Sequence, residues 1–263
     1  MNSWMTSSFL VVFTGLVCTA LFFFTVTRGA LIARGLGFGE RGASEHVYPI
    51  YSDMRLIKMV DFQPIISAIL LFQYDRLVSK IVAELQTLNL RDREVLITSC
   101  AFGNVIPRVV GAAVASGARR VHLIDLIKNE LTHARGKLGD LARKVEFSEA
   151  NATAMRHSDG SVAANVIFFL LHELPHDLKG EALKEAARTV APGGKLLLAE
   201  FHRPDSWFLR VLSWTYFKVF EPLGLALWDS HDPLHYIESL GGFSCTRSTC
   251  FFGNFQVIVA TKQ

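Results

Sequence analysis

The chain has 263 residues, 50% of them hydrophobic and only 19% charged, which suits one large α/β domain plus a short appendage at the boundary between soluble and membrane-associated proteins. A net charge of +3 with no long Lys/Arg run excludes a polyanion groove, so nucleic acid is not an expected partner. Cys18, Cys100, Cys245 and Cys250 form no C-x-x-C pair and no His/Cys cluster of zinc-ligand spacing, which argues against a zinc site and favours reduced thiols over a disulfide framework.

Residues 1–28 read as an N-terminal membrane anchor. The stretch FLVVFTGLVCTALFFFTVT, residues 9–27, carries no charge. At about 1.5 Å per residue, such a helix spans roughly the ~30 Å hydrocarbon core. A cleaved signal peptide is the competing reading, but it calls for a basic leader, and no Lys or Arg precedes the stretch. Arg28, Arg34 and Arg41 all follow it, which places the main domain on the cytoplasmic face. Residues 29–45 are glycine-rich and read as a flexible linker.

The globular part, residues 46–263, opens with a helical cap over 46–88. There Leu56, Ile57, Val60, Ile65, Ile66, Ile69, Leu70 and Leu77 recur at three- and four-residue steps, and Pro64 is expected to split the stretch into two helices. From there strands and helices alternate. Strands are expected at 95–98, 121–124, 145–147, 166–171 and 195–200, and helices at 106–116, 128–143 and 180–190. That alternation predicts an α/β, doubly wound, Rossmann-like parallel sheet with right-handed crossovers. At the end, segments 244–251 and 255–261 flank Gly253-Asn254, the signature of an antiparallel hairpin with a two-residue turn.

A Rossmann-like start closed by an antiparallel hairpin is the layout of the class I methyltransferases. In such sheets ligands bind beyond the carboxyl ends of the strands. The expected cofactor site therefore comprises Cys100, Phe102 and Gly103 in the loop after the first strand, Asp125 ending the second, and Asn151 after the third. Asp125 stands about 20 residues after the loop and is placed to bind both ribose hydroxyls, while Asn151 is placed to reach an adenine. The loop holds a single glycine and no G-x-G-x-x-G, so a dinucleotide phosphate site is not expected.

Further motifs lie at recognisable spacing. Phe168-Phe169-Leu170-Leu171-His172-Glu173-Leu174-Pro175 precedes Ala191-Pro192-Gly193-Gly194-Lys195 and His202-Arg203-Pro204. Glu221-Pro222, Leu227-Trp228 and Phe252-Gly253-Asn254-Phe255 follow, and Tyr48-Pro49-Ile50-Tyr51 and Gln73-Tyr74-Asp75-Arg76-Leu77 lie upstream. In this order the set resembles the rhodoquinone biosynthesis protein family, a methyltransferase-like branch, over roughly residues 46–262. The resemblance implies S-adenosylmethionine as cofactor and a divalent manganese ion. It also implies a ubiquinone-like lipid quinone as substrate, with a ring methoxy group replaced by an amino group. The family carries a Tyr-Gly-Asp-like element where this chain reads Phe102-Gly103-Asn104, which leaves open ordinary methyl transfer to a quinone or other lipid, and a non-catalytic quinone-binding or partner-binding role.

His172, Glu173 and His202 are the candidate catalytic residues. His172 and Glu173 are expected to end the fourth strand and do acid/base work or ligate a metal, against an ordinary capping role. His202 follows the fifth strand, with Glu200 as its expected partner. The aromatic stretch 207–228 suits either a membrane interface, with Arg210 and Lys218 facing headgroups, or a buried helix.

Overall fold

The computed structural model describes residues 10–11, 13–21, 51 and 53–263. The expected linker and part of the expected anchor lie outside them. Residues 10–11 and 13–21 are helical and exposed, and no helix among the described residues is long and apolar enough to cross a membrane.

The cap is three helices rather than two: α1 (Met54–Val60), α2 (Gln63–Ile69) and α3 (Tyr74–Gln86). Pro64 lies in the first turn of α2, where a missing N–H costs nothing, so it starts a helix and does not break one. The second break falls at Leu71 and Phe72, both with positive φ. In α3, Tyr74, Leu77, Val78, Ile81 and Leu85 are buried at helical spacing, each aliphatic side chain contributing about 1.5–3 kcal/mol.

The remaining elements are β1 (Glu94–Thr98), α4 (Val105–Ala115), β2 (Arg120–Asp125), α5 (Lys128–Leu138) and β3 (Val145–Glu149), followed by β4 (Val162–Phe168), α6 (His176–Thr189), β5 (Val190–Phe201) and α7 (Trp207–Val219). α8 (Pro233–Ser239), β6 (Phe243–Cys250) and β7 (Phe255–Lys262) close the chain. The seven-stranded sheet runs β3-β2-β1-β4-β5-β7-β6. β1 to β5 are parallel, and β7 is antiparallel to both β5 and β6. Alternate residues of each strand feed opposite faces. Val95, Ile97, Val121, Leu123, Val166, Leu197 and Val257 pack under α3, α4 and α5, while Leu96, Ile124, Ile167, Leu196, Leu198 and Ile258 pack under α6 and α8.

α5 stops at Leu138, five residues short of the expected 143, and α6 starts at His176, four residues ahead of the expected 180. Three further boundaries differ from the sequence reading for local physical reasons. β4 ends at Phe168, because Phe169 takes φ of 53° and turns the chain. The apolar run continues as a buried turn through Leu170 and Leu171, so His172 and Glu173 stand beyond the strand, not at its end. β5 begins at Val190 and takes in Pro192-Gly193-Gly194, where the register against β4 shifts. A Cβ on Gly194 would stand 2.6 Å from the carbonyl oxygen of Ala163, so that close approach requires glycine. The closing hairpin turns over residues 251–254 and not over two residues, with Phe251, Phe252 and Gly253 all at positive φ.

Candidate active site

At the carboxyl ends of the parallel strands a cavity of about 200 Å³ opens between the sheet and the cap. Its walls come from the loop after β1, the ends of β2 to β5, α2, α7 and the cap residue Tyr51. Cys100, Phe102, Asp125, Asn151, His172 and Glu173 all line it; Gly103 and His202 do not.

Asp125 ends β2 and is 8% exposed. Its Oδ2 accepts from the Cys100 N–H at 2.6 Å and the Ser99 hydroxyl at 3.3 Å, and its Oδ1 accepts from the Ile127 N–H at 2.7 Å. Burial raises its pKa against these donors, which lower it. Beside it, Ile124, Leu126, Ile127, Ala150 and Ala152 make an apolar slot with Asn151 at its rim, a shape and chemistry that suit a flat base joined to a diol. Asn151 Oδ1 accepts from the Thr153 N–H at 2.9 Å, leaving its amide nitrogen for a ligand.

Gly103 supports the loop and does not line the cavity. At φ of 79°, it brings its backbone against Tyr74. The Tyr74 hydroxyl donates to the Phe102 carbonyl at 3.1 Å and accepts from the Val105 N–H at 2.7 Å. The Gly103 N–H donates to Asp61 at 2.5 Å, and Lys137 Nζ donates to the Gly103 carbonyl at 2.6 Å. A Cβ on Gly103 would stand 2.5 Å from Tyr74 Cζ. Gly103→Ala combines that clash with a strained backbone and is expected to cost about 2–4 kcal/mol in urea unfolding; a loss within experimental error would remove this account of the loop.

His172 and Glu173 sit in the turn after β4. Glu200, fully buried on β5, accepts from the Leu171 N–H at 2.9 Å and the Phe201 N–H at 2.8 Å, and its Oε1 lies 3.1 Å from His172 Nδ1. Burial alone would lower the His172 pKa, but the carboxylates of Glu200, Glu173 and Glu221 outweigh it and raise it to about 9. The imidazole is thus protonated at neutral pH, with Nδ1–H given to Glu200 and Nε2–H turned toward Glu173, whose Oε1 lies 3.9 Å away. Glu173 accepts the Tyr51 hydroxyl, and burial raises its pKa. Lys179 on α6, 2% exposed, pins the turn by donating to the carbonyls of Leu171 and Leu174. Phe169, Phe201 and Tyr216 supply aromatic wall around this polar end.

Glu200 therefore serves His172, not His202. The His202 ring Nδ1 lies 2.7 Å from the Gly253 carbonyl and its Nε2 3.3 Å from Arg247, tying β5 to the hairpin. Its position outside the cavity suits a structural tie and not the catalytic role expected from sequence. Manganese finds no site either: among the described residues no group of three or more His, Cys, Asp or Glu could hold a metal ion. Asp125 and Glu200 are instead occupied as acceptors of N–H groups.

The sequence reading missed Tyr51, Tyr74 and Glu130. The two tyrosines lay within motifs singled out above. Glu130 left a fainter signal, a carboxylate on the same helical face as the buried Leu131, Ala134 and Leu138.

Comparison with known proteins adds identity to this geometry. The chain is 29% identical over 168 residues to the ubiquinone/menaquinone biosynthesis C-methyltransferase UbiE of Bartonella quintana, covering 63% of this chain and 64% of that protein. It is 31% identical over 144 residues to the UbiE of Bartonella bacilliformis, covering 54% of each. The chain thus spans less than two thirds of the length of these relatives. Among solved structures, an O-methyltransferase family protein from Burkholderia thailandensis superposes with a TM-score of 0.60 at 17% identity, over 81% of this chain and 61% of that one. Magnesium protoporphyrin IX methyltransferase from Synechocystis PCC 6803 with bound SAH gives 0.55 at 16% identity, over 72% and 84%. Both likenesses show the methyltransferase fold. The profile of the ubiE/COQ5 methyltransferase family matches residues 57–244, and the chain belongs to that family.

Proposed function

We propose that this enzyme uses S-adenosylmethionine to modify the ring of a lipid quinone. The observation that carries the reading is the buried His172–Glu200 pair beside an aromatic-walled cavity that His172, Asp125 and Asn151 all line. A cofactor bound at Asp125 would point its reactive end at a flat acceptor held among Phe169, Phe201 and Tyr216. When bound, S-adenosylmethionine supplies an activated group on a sulfonium centre. The chain's own part is alignment of donor and acceptor, worth several kcal/mol in well-oriented reactions, and exclusion of water. In this reading His172 Nε2–H, 3.9 Å from Glu173 and short of a hydrogen bond to it, hydrogen-bonds a ring oxygen as negative charge develops on it.

Two reactions fall within this reading. Replacement of a ring methoxy group by an amino group is supported by the resemblance carried by His172-Glu173 and His202-Arg203-Pro204. C-methylation is supported by the names of the matching relatives. Incubating the full chain and S-adenosylmethionine with ubiquinone and, separately, with a prenylated benzoquinol that has one unsubstituted ring carbon, followed by mass spectrometry, separates them. Exchange of a methoxy for an amino mass on ubiquinone supports the first, gain of a methyl on the quinol with loss of its ring proton supports the second, and both substrates unchanged sinks the proposal.

The reading extends to the membrane. The uncharged residues 9–27 are proposed as an anchor holding the catalytic domain at the cytoplasmic face, in keeping with the exposed apolar side chains Leu10, Val11, Phe13, Leu16, Val17 and Leu21. A second contact is proposed at α7, where Trp207, Phe208, Val211, Leu212 and Trp214 are 49–74% exposed, the amphipathic arrangement of an interfacial helix. The full chain is expected to pellet with membranes through alkaline carbonate washing. A chain lacking residues 1–28 should bind anionic lipid vesicles, and should lose about tenfold in binding with Trp207→Ser and Trp214→Ser together. Equal binding with and without those substitutions would rule out the α7 contact.

A further inference from the structure

We propose that Glu130 is the counter-ion of the α-ammonium group at the methionyl end of S-adenosylmethionine, replacing a carboxylate that the loop after β1 lacks. This rests on the cofactor reading above and goes beyond it by assigning the residue that recognises the amino-acid portion. Among the described residues, four carboxylates line the cavity, those of Asp125, Glu130, Glu173 and Glu221. Asp125 accepts three donors from its neighbouring loops, and Glu173 accepts the Tyr51 hydroxyl. Glu130 is different: it is 3% exposed, and its Oε1 is closed off from solvent with no hydrogen-bond partner among the described residues. An orphaned buried oxygen of this kind is costly and calls for a reason.

The ligand's chemistry supplies that reason. S-adenosylmethionine carries two cationic centres, and residues 99–104 of the loop contain no acidic side chain. With the ribose at Asp125 and the base beside Asn151, the methionyl end would lie along the rest of the cavity wall, where Glu130 stands with Cys100 and Tyr51. The groups facing it are Asp125 from β2, Cys100 from the loop, Asp61 after α1, Tyr51 from the cap, Glu173 from the turn after β4, and Lys137 one face along its own helix. Burial, then Asp125, push the Glu130 acid up to about 9, with Lys137 opposing. In the free protein at neutral pH the acid is therefore protonated. An arriving ammonium group favours the carboxylate, so the proton leaves to solvent as the ion pair forms.

Calorimetry on the full chain at neutral pH, repeated in buffers of different ionisation enthalpy, tests this with three nucleosides. S-adenosylmethionine and S-adenosylhomocysteine both carry the ammonium group, and methylthioadenosine does not. Wild type is expected to release close to one proton on binding either of the first two and none with the third. Glu130→Gln is expected to bind the first two about tenfold or more weakly, with no proton released, and to bind methylthioadenosine as wild type does. Its thermal midpoint should stay close to that of wild type, because glutamine matches the neutral acid in size and charge; the wild-type proton count stands whether or not the variant folds. Binding of S-adenosylmethionine without proton release, an unchanged affinity in the variant, or the same loss with methylthioadenosine would each overturn the proposal. Wild type that binds none of the three overturns the cofactor reading itself, and this assignment with it.

Discussion

Asp125→Ala is expected to weaken S-adenosylmethionine binding by about a hundredfold or more, because two ribose hydroxyls lose a charged acceptor at about 1.5–3 kcal/mol each. The same substitution strips the acceptor from the Cys100 N–H, the Ile127 N–H and the Ser99 hydroxyl, so the loop that shapes the cavity loosens as well. Asp125→Asn separates the two effects. An amide oxygen still accepts from one loop, and the fold is largely kept, but the charge that grips two hydroxyls is lost. Binding of S-adenosylhomocysteine, read by calorimetry beside a urea unfolding curve, is expected to fall at least tenfold in Asp125→Asn with less than about 2 kcal/mol lost in stability. Affinity within about threefold of wild type in both variants would show that the ribose does not sit at the end of β2.

Much of this site was legible before any coordinates, because its logic is topological. Once strands and helices alternate, the carboxyl ends of β1, β2 and β3 must share one rim, and Cys100, Asp125 and Asn151 follow from that alone. What was not legible depends on contacts far apart in sequence. Glu200 and His202 are two apart, a spacing that would put them on one face of a continuing strand, but β5 ends at Phe201 and His202 turns to the Gly253 carbonyl. Glu200 instead meets the turn after β4, and which histidine it reaches is decided by Phe169 reversing the chain. Gly103 reads as a ligand-cradling glycine in sequence, yet its missing Cβ makes room for Tyr74, 29 residues earlier and on another helix. Strand ends were blurred for a similar reason. The run from Val166 to Leu171 is apolar throughout and buried except for the half-buried Phe169, and burial in a turn leaves the same pattern as burial in a strand.

His172→Gln is expected to lower kcat by about 10²–10⁴-fold while leaving S-adenosylmethionine affinity unchanged, since a positioned acid contributes on that scale and His172 lies at the acceptor end of the cavity. Glutamine retains a donor at similar reach but cannot carry the imidazolium charge. The pH dependence identifies the charge as the cause. Because the folded protein holds this proton more tightly than the unfolded chain, with the pKa raised from 6.5 to about 9, the linked stabilisation, roughly 3 kcal/mol, is complete below about pH 6.5 and is lost as pH climbs through about 9. The stability gap between wild type and His172→Gln should therefore narrow across that interval. Activity that needs the imidazolium should fall on the same alkaline limb. Glu200→Gln removes the largest influence raising that pKa, so its alkaline limb is expected to move toward neutral pH, whereas a purely structural role would lower activity evenly at every pH. A His172→Gln enzyme within about threefold of wild-type kcat, or an alkaline limb that stays in place in Glu200→Gln, would take the pair out of the chemistry and return it to holding the turn.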